Sequence, residues 1–132
     1  MAILLRTPHV TISREPNEPF VRVVRTAEPI RSLSDIDVVE GVLERAAPKG
    51  EREKMGLLMD VREAPLRNDP EFEQRIAPRV ARLGVGFGRS AVLVRTAIGK
   101  LQVARQSRDV NGSAMATFDD EKEAVAFLAK VK

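Results

Sequence analysis

The segment from residue 57 to residue 80 constrains the fold most, because it reads as a strand, a polar loop and a helix start in succession. Residues 55–61 are apolar without polar alternation, which is typical of a strand at the centre of a sheet covered on both faces. Asp69 is a good N-cap, and Pro70 suits the first position of the helix that follows. Partners of α/β folds usually bind outside the carboxyl ends of strands, so we expect the binding surface at residues 62–72.

The remaining strands are predicted from alternating or β-branched runs. Residues 9–15 and 20–27 should pair as an antiparallel hairpin, because a turn containing Pro16 and Pro19 separates them. Residues 1–5 are expected to start an edge strand or a frayed terminus. Residues 91–96 and 114–118 complete the set of predicted strands.

About four helices are predicted. The first has Ser34 as its N-cap, with Leu33 packed onto Val38. The second follows Asp69 and should kink or break at Pro78, which has no N–H to donate. A short helix at 101–107 and a terminal helix capped by Asp119 or Asp120 follow. The apolar stripe predicted for the first helix consists of Val39, Val42, Leu43 and Ala46, and that of the second consists of Phe72, Ile76, Val80 and Leu83.

Strands that alternate with helices indicate an α/β fold. We predict one domain over residues 1–132, with a mostly parallel mixed sheet that carries the antiparallel hairpin at its N-terminal side. Right-handed crossovers would place the helices on the faces of this sheet.

Composition excludes several kinds of site. The chain has no cysteine and a single histidine, His9, so thiolate or multi-histidine metal sites and thiol catalysis are ruled out. We therefore expect no metal and no cofactor. The net charge of +3 is spread along the chain, and tryptophan and tyrosine are absent, so we do not expect nucleic-acid binding. The apolar start ends at Arg6, far short of a signal peptide or membrane span, and we expect a cytoplasmic protein.

The order of elements resembles that of a known family. The segments that carry the resemblance are GLLMDVR at 56–62, NDPEFE at 68–73, RSAVLVRT at 89–96 followed by GKLQ at 99–102, and FDDEKEAVAFL at 118–128. Together they cover nearly the whole chain and are similar to the STAS fold of bacterial anti-sigma-factor antagonists. The chain resembles the SpoIIAA-like family more closely, whose members are often grouped with CRAL-TRIO-type lipid-binding folds.

The resemblance implies a non-enzymatic signalling module that binds a protein partner, such as a kinase or another regulatory protein. In antagonists of this type, a kinase phosphorylates a serine at the helix start that follows the central strand. Residues 61–71 of this chain contain no Ser or Thr, and Asn68 and Asp69 stand where the phosphoacceptor would be expected. The resemblance therefore implies binding without this phospho-switch. Asp69 is interpreted as a helix cap, with imitation of a phosphorylated state as the alternative.

The charged residues near the loop have two interpretations. Asp60 could act as a base or hold a cation, or it could be a loop acid paired with Arg62 or with backbone N–H groups. Arg62, Arg67 and Arg89 could cluster and bind an anion together with the helix start. Alternatively, they are solvated arginines that balance nearby acids, namely Glu63, Glu71 and Glu73. The candidate binding residues are therefore Asp60, Arg62, Arg67, Asn68, Asp69, Phe72 and Arg89.

Two other motifs are interpreted as structural. Gly84, Gly86 and Gly88 follow a helix and precede a strand, the reverse of the order in a dinucleotide-binding loop, and therefore indicate a helix end and a turn. His9 is expected at a surface or strand edge without a catalytic partner.

Three hypotheses about function remain. The first is the protein-binding module acting through residues 62–72. The second is a carrier or sensor of a small apolar or lipid-like ligand, held between the apolar faces of the two helices near residues 84–88, which could part. The third is an enzyme that uses Asp60 and an arginine, although no second catalytic group is evident. A homodimer formed across an edge strand or a helix face is compatible with each hypothesis.

Overall fold

The chain folds around a six-stranded mixed sheet whose strands lie side by side in the order of the sequence. The computed structural model describes residues 2–30, 32–48, 50–65, 70, 72–96 and 116–130. The strands are β1 (Ala2–Arg6), β2 (Val10–Arg14), β3 (Phe20–Arg25), β4 (Gly56–Asp60), β5 (Arg89–Leu93) and β6 (Ala116–Phe118). The strand predicted at 55–61 is therefore central, with neighbours on both sides.

The sheet is antiparallel from β1 to β3 and parallel from β3 to β6. The predicted hairpin is present as β2 and β3, but β1 also pairs with β2, so the antiparallel part is a three-stranded meander. The predicted mixed sheet is confirmed, with three of the five strand pairings among the described residues parallel, and its antiparallel part is one strand larger than the predicted hairpin. Of the two alternatives for residues 1–5, the structure has the edge strand, because the short run 2–6 is apolar enough to pair; a bulge between Ile3 and Leu5 distorts it.

Helices cover both faces of the sheet, so the fold has three layers. The described residues contain α1 (Leu33–Ala46), α2 (Ala77–Arg82) and α3 (Glu121–Leu128), with a short 3₁₀ helix at Arg52–Lys54. The apolar side chains of α1 and α2 pack on one face with those of β2 to β5. Those of α3 pack on the other face against Phe20, Leu58, Ala91 and Leu93. The predicted helix at 101–107 lies outside the described residues.

The first helix begins earlier than predicted. Its N-cap is Ser32, whose hydroxyl oxygen accepts a hydrogen bond from the Ser34 N–H at 3.0 Å. Ile36, rather than Ala46, is a fully buried member of its apolar stripe. Val38 is 49% exposed and does not form the predicted staple, because the shift of the cap changes which residues face the core.

The interruption predicted at Pro78 takes the form of a change in helix type. A π-helical turn at Phe72–Ile76 leads directly into α2. Proline has no backbone N–H, so a regular α-helical hydrogen bond from residue 78 to the carbonyl of Gln74 is absent, and a wider turn is one way to absorb this loss. Ile76 and Leu83 are buried as predicted.

The predicted cap of the final helix is Asp120. Its carboxylate accepts hydrogen bonds from the N–H groups of Lys122 and Glu123, and α3 follows immediately. Ala124 and Leu128 are buried against the sheet, as the sequence pattern predicts.

Candidate functional site

The candidate site begins where β4 ends and α3 starts. Asp60 is the last residue of β4 and lies opposite Val24 of β3 and Leu93 of β5. The Val61 N–H donates to the Leu93 carbonyl at 2.9 Å, and the Ala64 N–H donates to the Val61 carbonyl at 3.1 Å. The first bond continues the pairing with β5 by one residue, and the second closes a turn, so the loop starts in a defined direction.

Asp60 and Arg62 form a closed pair at the start of this loop. Arg62 donates from Nε to Oδ1 at 3.0 Å and from Nη2 to Oδ2 at 2.7 Å, and its backbone N–H also donates to Oδ1 at 3.1 Å. The side chain of Asp60 is only 13% exposed. The interpretation of Asp60 as a hydrogen-bonded loop acid is therefore confirmed, and both of its oxygens are occupied.

The pair belongs to a longer chain of alternating charges, which we call the charge ladder: Glu18, Arg22, Glu121, Arg62 and Asp60. Nη2 of Arg62 also donates to Oε1 of Glu121 at 3.0 Å. Oε2 of Glu121 lies 3.9 Å from Nη1 of Arg22. Arg22 in turn donates to both carboxylate oxygens of Glu18, at 3.0 and 2.9 Å. The charge ladder thus joins the turn before β3, the end of β4 and the start of α3.

The arginines of the charge ladder keep their charge. Hydrogen bonds to Asp60 are the main reason why the pKa of Arg62 lies above its ordinary value, and Glu121 adds to the effect. Hydrogen bonding to Glu18 raises the pKa of Arg22 in the same way. Neither arginine can therefore supply or accept a proton at ordinary pH, which leaves binding and positioning as their chemistry.

A second ion pair lies beside the ladder. Nη2 of Arg95, in the segment after β5, donates to Oε2 of Glu63 at 2.7 Å, and both side chains are mostly exposed. The first residues of the loop are thus tied to α3 through Arg62 and to the end of β5 through Glu63. The resulting surface consists of paired charges that face solvent.

The other predicted site residues lie in different places. Arg67, Asn68 and Asp69 lie outside the described residues, and Phe72 begins the π-helical turn. Arg89 is the first residue of β5 and lies opposite Gly56, the first residue of β4. Because both strands run in the same direction, Arg89 lies at the opposite end of the strands from Asp60. The distance along the strand between the two levels is about 13 Å.

The predicted cluster of Arg62, Arg67 and Arg89 is therefore wrong as a group. The guanidinium of Arg89 lies 4.6 Å from the ring centre of Phe127 in α3, where it covers the aromatic ring. Arg62 is held by acids rather than left open for an anion.

Three residues of the ladder were missed from the sequence, namely Glu18, Arg22 and Glu121. Arg22 interrupts the apolar side of β3 between Phe20 and Val24, and a charge at such a position is a signal for a polar partner across the sheet. Glu121 could not be recognised from the sequence, because acids are common in the first turn of any helix, where the positive end of the helix dipole stabilises them.

The turn at residues 84–88 is fastened to the end of α1 by Arg52, which is 7% exposed. Arg52 donates from Nε to the Ala47 carbonyl at 2.7 Å and from Nη1 to the Val85 carbonyl at 3.1 Å. Its guanidinium lies 4.9 Å from the ring centre of Phe87, and the Gly88 N–H donates to its carbonyl at 2.9 Å. We call this arrangement the Arg52 clamp. It opposes the separation of helices that the carrier hypothesis requires, and that hypothesis stays a prediction.

The conformation of the turn explains the presence of a glycine at residue 86. Gly86 has φ of +93°, a conformation that favours glycine, and follows α2 as a helix-terminating turn. The interpretation of Gly84, Gly86 and Gly88 as a turn is confirmed. His9 directly precedes β2, and its Nε2 lies 3.7 Å from the Asp35 carboxylate in α1; its side chain is partly exposed, in keeping with the surface position that was one of the two predicted alternatives.

The comparisons with known proteins identify the fold. The chain is similar to the crystal structure of an uncharacterized protein of the DUF3478 family with a SpoIIAA-like fold from Shewanella loihica PV-4, with a TM-score of 0.63. The match covers 90% of this chain and 91% of that chain at 16% sequence identity. This chain has the SpoIIAA-like fold. No family model matches the sequence, and no curated protein matches it either.

Metal-binding clusters and membrane-spanning helices are both absent from the residues that the structure describes. No group of three or more Asp, Glu or His side chains among them is placed to hold a metal ion. Both carboxylate oxygens of Asp60 accept hydrogen bonds from Arg62. Over the same part of the chain, none of the helices has the length and apolar character needed to cross a membrane.

Proposed function

We propose that the chain is a non-enzymatic regulatory module, resembling an anti-sigma-factor antagonist, which binds a protein partner through the loop and helix start at residues 62–72. The observation that carries the proposal is the pairing of both oxygens of Asp60 with Arg62 at the carboxyl end of the central strand. A catalytic acid needs a free or exchangeable proton site, whereas a binding surface gains from side chains that are held in place.

The SpoIIAA-like fold supports the same proposal, because the resemblance associates this loop with partner recognition. Around the loop, Arg62, Glu63 and Arg95 present charged groups to solvent from fixed ion pairs. Exposed charges of this kind contribute more to partner choice and association rate than to affinity. We infer that the partner carries a complementary charged surface, as a kinase or another regulatory protein would.

The test starts with native mass spectrometry of the protein purified gently from its own cells. The expected result is a stoichiometric protein companion. The double variant Arg67→Glu with Asp69→Arg should then abolish the complex without changing the circular dichroism spectrum, and loss of the predicted Asp69 cap should lower the melting temperature by only about 4 °C.

A matched control reverses two charges near the amino-terminal end of β4, at the opposite end of the strand from Asp60. Glu51→Arg with Lys54→Glu also leaves the net charge unchanged, and both side chains are exposed in the 3₁₀ segment. This control should retain the complex. If the complex survives the first double variant, residues 62–72 are not the binding surface, and loss of the complex in the control as well would show that the effect of the first variant is not specific to this loop.

A further inference from the structure

The carboxylate of Glu121 is shared between two arginines from different parts of the fold. One of its oxygens accepts from Arg62 at 3.0 Å, and the other lies 3.9 Å from Arg22. Each arginine already has an acid of its own, since Arg62 is paired with Asp60 and Arg22 with Glu18. Glu121 is therefore the member of the charge ladder that can change partner without leaving a guanidinium unpaired.

The two contacts of Glu121 differ in length and in the exposure of the arginine, the contact with Arg62 being a hydrogen bond and the contact with Arg22 a longer ion pair. The Glu121–Arg62 contact joins side chains that are 45% and 40% exposed, and exposed ion pairs are weak because water competes for both groups. Arg22 is less exposed, and its guanidinium lies 5.1 Å from the ring centre of Phe20, which limits its movement. A rotation of the Glu121 side chain exchanges one charged hydrogen bond for another, so the exchange costs little.

We propose that Glu121 is a two-position latch. When Glu121 is bound to Arg62, it ties the loop after β4 to the start of α3. When it is bound to Arg22, α3 no longer holds Arg62, so residues 62–64 keep their ties to Asp60 and Arg95 but lose the tie to α3, while α3 stays paired with β3. The freedom of residues 62–64 is thus tuned by the competition of two arginines for one carboxylate. Its consequence for partner binding rests on the proposed function, whereas the latch itself is a property of the free protein.

Hydrogen exchange of loop amides, measured by NMR on the free full chain, tests the latch. The N–H groups of Arg62 and Ala64 are suitable reporters, since they donate to Asp60 and to the Val61 carbonyl. Arg22→Gln removes the competitor, and exchange at both amides should slow by about twofold. Glu18→Gln frees Arg22 to draw Glu121 away, and exchange should rise by about two- to fivefold, the range expected for a surface ion pair.

The opposite signs of these two effects are the decisive result. If Arg22 only supported Glu121, Arg22→Gln would also speed exchange at the loop, and that outcome overturns the latch. Unchanged exchange in Arg22→Gln overturns it as well. Arg45→Gln, on α1 at the other face of the sheet, is the control for loss of one positive charge and should leave both amides unaffected.

A third variant keeps the test decisive if Arg22→Gln does not fold. Glu121→Gln should speed exchange at the loop, because it removes the ionic tie to Arg62. Exchange that rises in Glu121→Gln but stays unchanged in Glu18→Gln would mean that Glu121 holds the loop without competition, and the latch would be wrong. No partner is present in these measurements, so they stand or fall separately from the proposed function.

Discussion

Replacing Arg52 by methionine should destabilise the protein strongly while leaving its surface unchanged. The substitution keeps an unbranched apolar stem but removes the hydrogen bonds to the carbonyls of Ala47 and Val85. It also removes the contact of the guanidinium with the ring of Phe87. Both carbonyls lie at a place where the end of α1, the 3₁₀ helix and the turn after α2 meet.

The size of the expected loss in the free energy of unfolding follows from these contacts. A hydrogen bond from a charged donor contributes about 1.5–3 kcal/mol, so two of them contribute about 3–6 kcal/mol. Methionine avoids the free-energy cost of burying a charged group, and this offsets part of the loss. We expect a decrease of about 3 kcal/mol in the free energy of unfolding, or about 12 °C in the melting temperature of a domain of this size.

Denaturation in guanidinium chloride, followed by far-ultraviolet circular dichroism, measures this loss. Circular dichroism is the suitable probe because the chain has no tryptophan or tyrosine for fluorescence. Arg52→Lys keeps the charge but cannot reach both carbonyls with one amine, and should give an intermediate loss. Lys54→Met, at an exposed neighbour, should change the free energy by less than about 0.5 kcal/mol. A loss below about 1 kcal/mol in Arg52→Met would refute the Arg52 clamp.

Two further stability predictions follow from the same kind of contact. Gly56→Ala would place a Cβ atom 3.0 Å from Leu128 Cδ2 and should lower the free energy of unfolding by about 1–3 kcal/mol. In Gly50→Ala the new Cβ atom meets nothing within 4 Å, so the stability should be nearly unchanged. Thermal unfolding checks both variants. Asp120→Ala removes the cap of α3 and should cost about 1 kcal/mol in chemical denaturation, and a cost equal to that of Asp119→Ala would contradict the assignment of the cap.

Local features of the fold were predictable because their causes lie within a few residues. The apolar run at 55–61 identified a strand with neighbours on both sides, and Asp120 was one of two predicted caps. The pairing of Asp60 with Arg62 was an open alternative in the sequence and is local as well, since the partners are two positions apart in the chain. The first helix shows the limit of such reasoning, because Ser32 and Ser34 are both good caps.

The candidate site was predictable only at its starting point. The position of Asp60 at the end of the central strand followed from the sequence pattern. Arg89 was misplaced, because the prediction grouped arginines by their nearness to the loop in the fold without tracing the direction of β5. The partners of the charge ladder come from the turn before β3 and from the start of α3, at separations in the chain that no periodic pattern records.

The sequence by itself determined the approximate positions of the strands from β2 onward and of the described α-helices, and the cap at Asp120, since apolar periodicity and end-capping are properties of short segments. The tertiary structure decided that β1 extends the antiparallel part of the sheet, that Arg52 is buried on carbonyls, and that Glu121 lies between Arg22 and Arg62. The physical reason is that an ion pair or a buried hydrogen bond depends on distances of a few ångströms between segments. Those distances exist only after strand order, strand direction and helix placement have been set together.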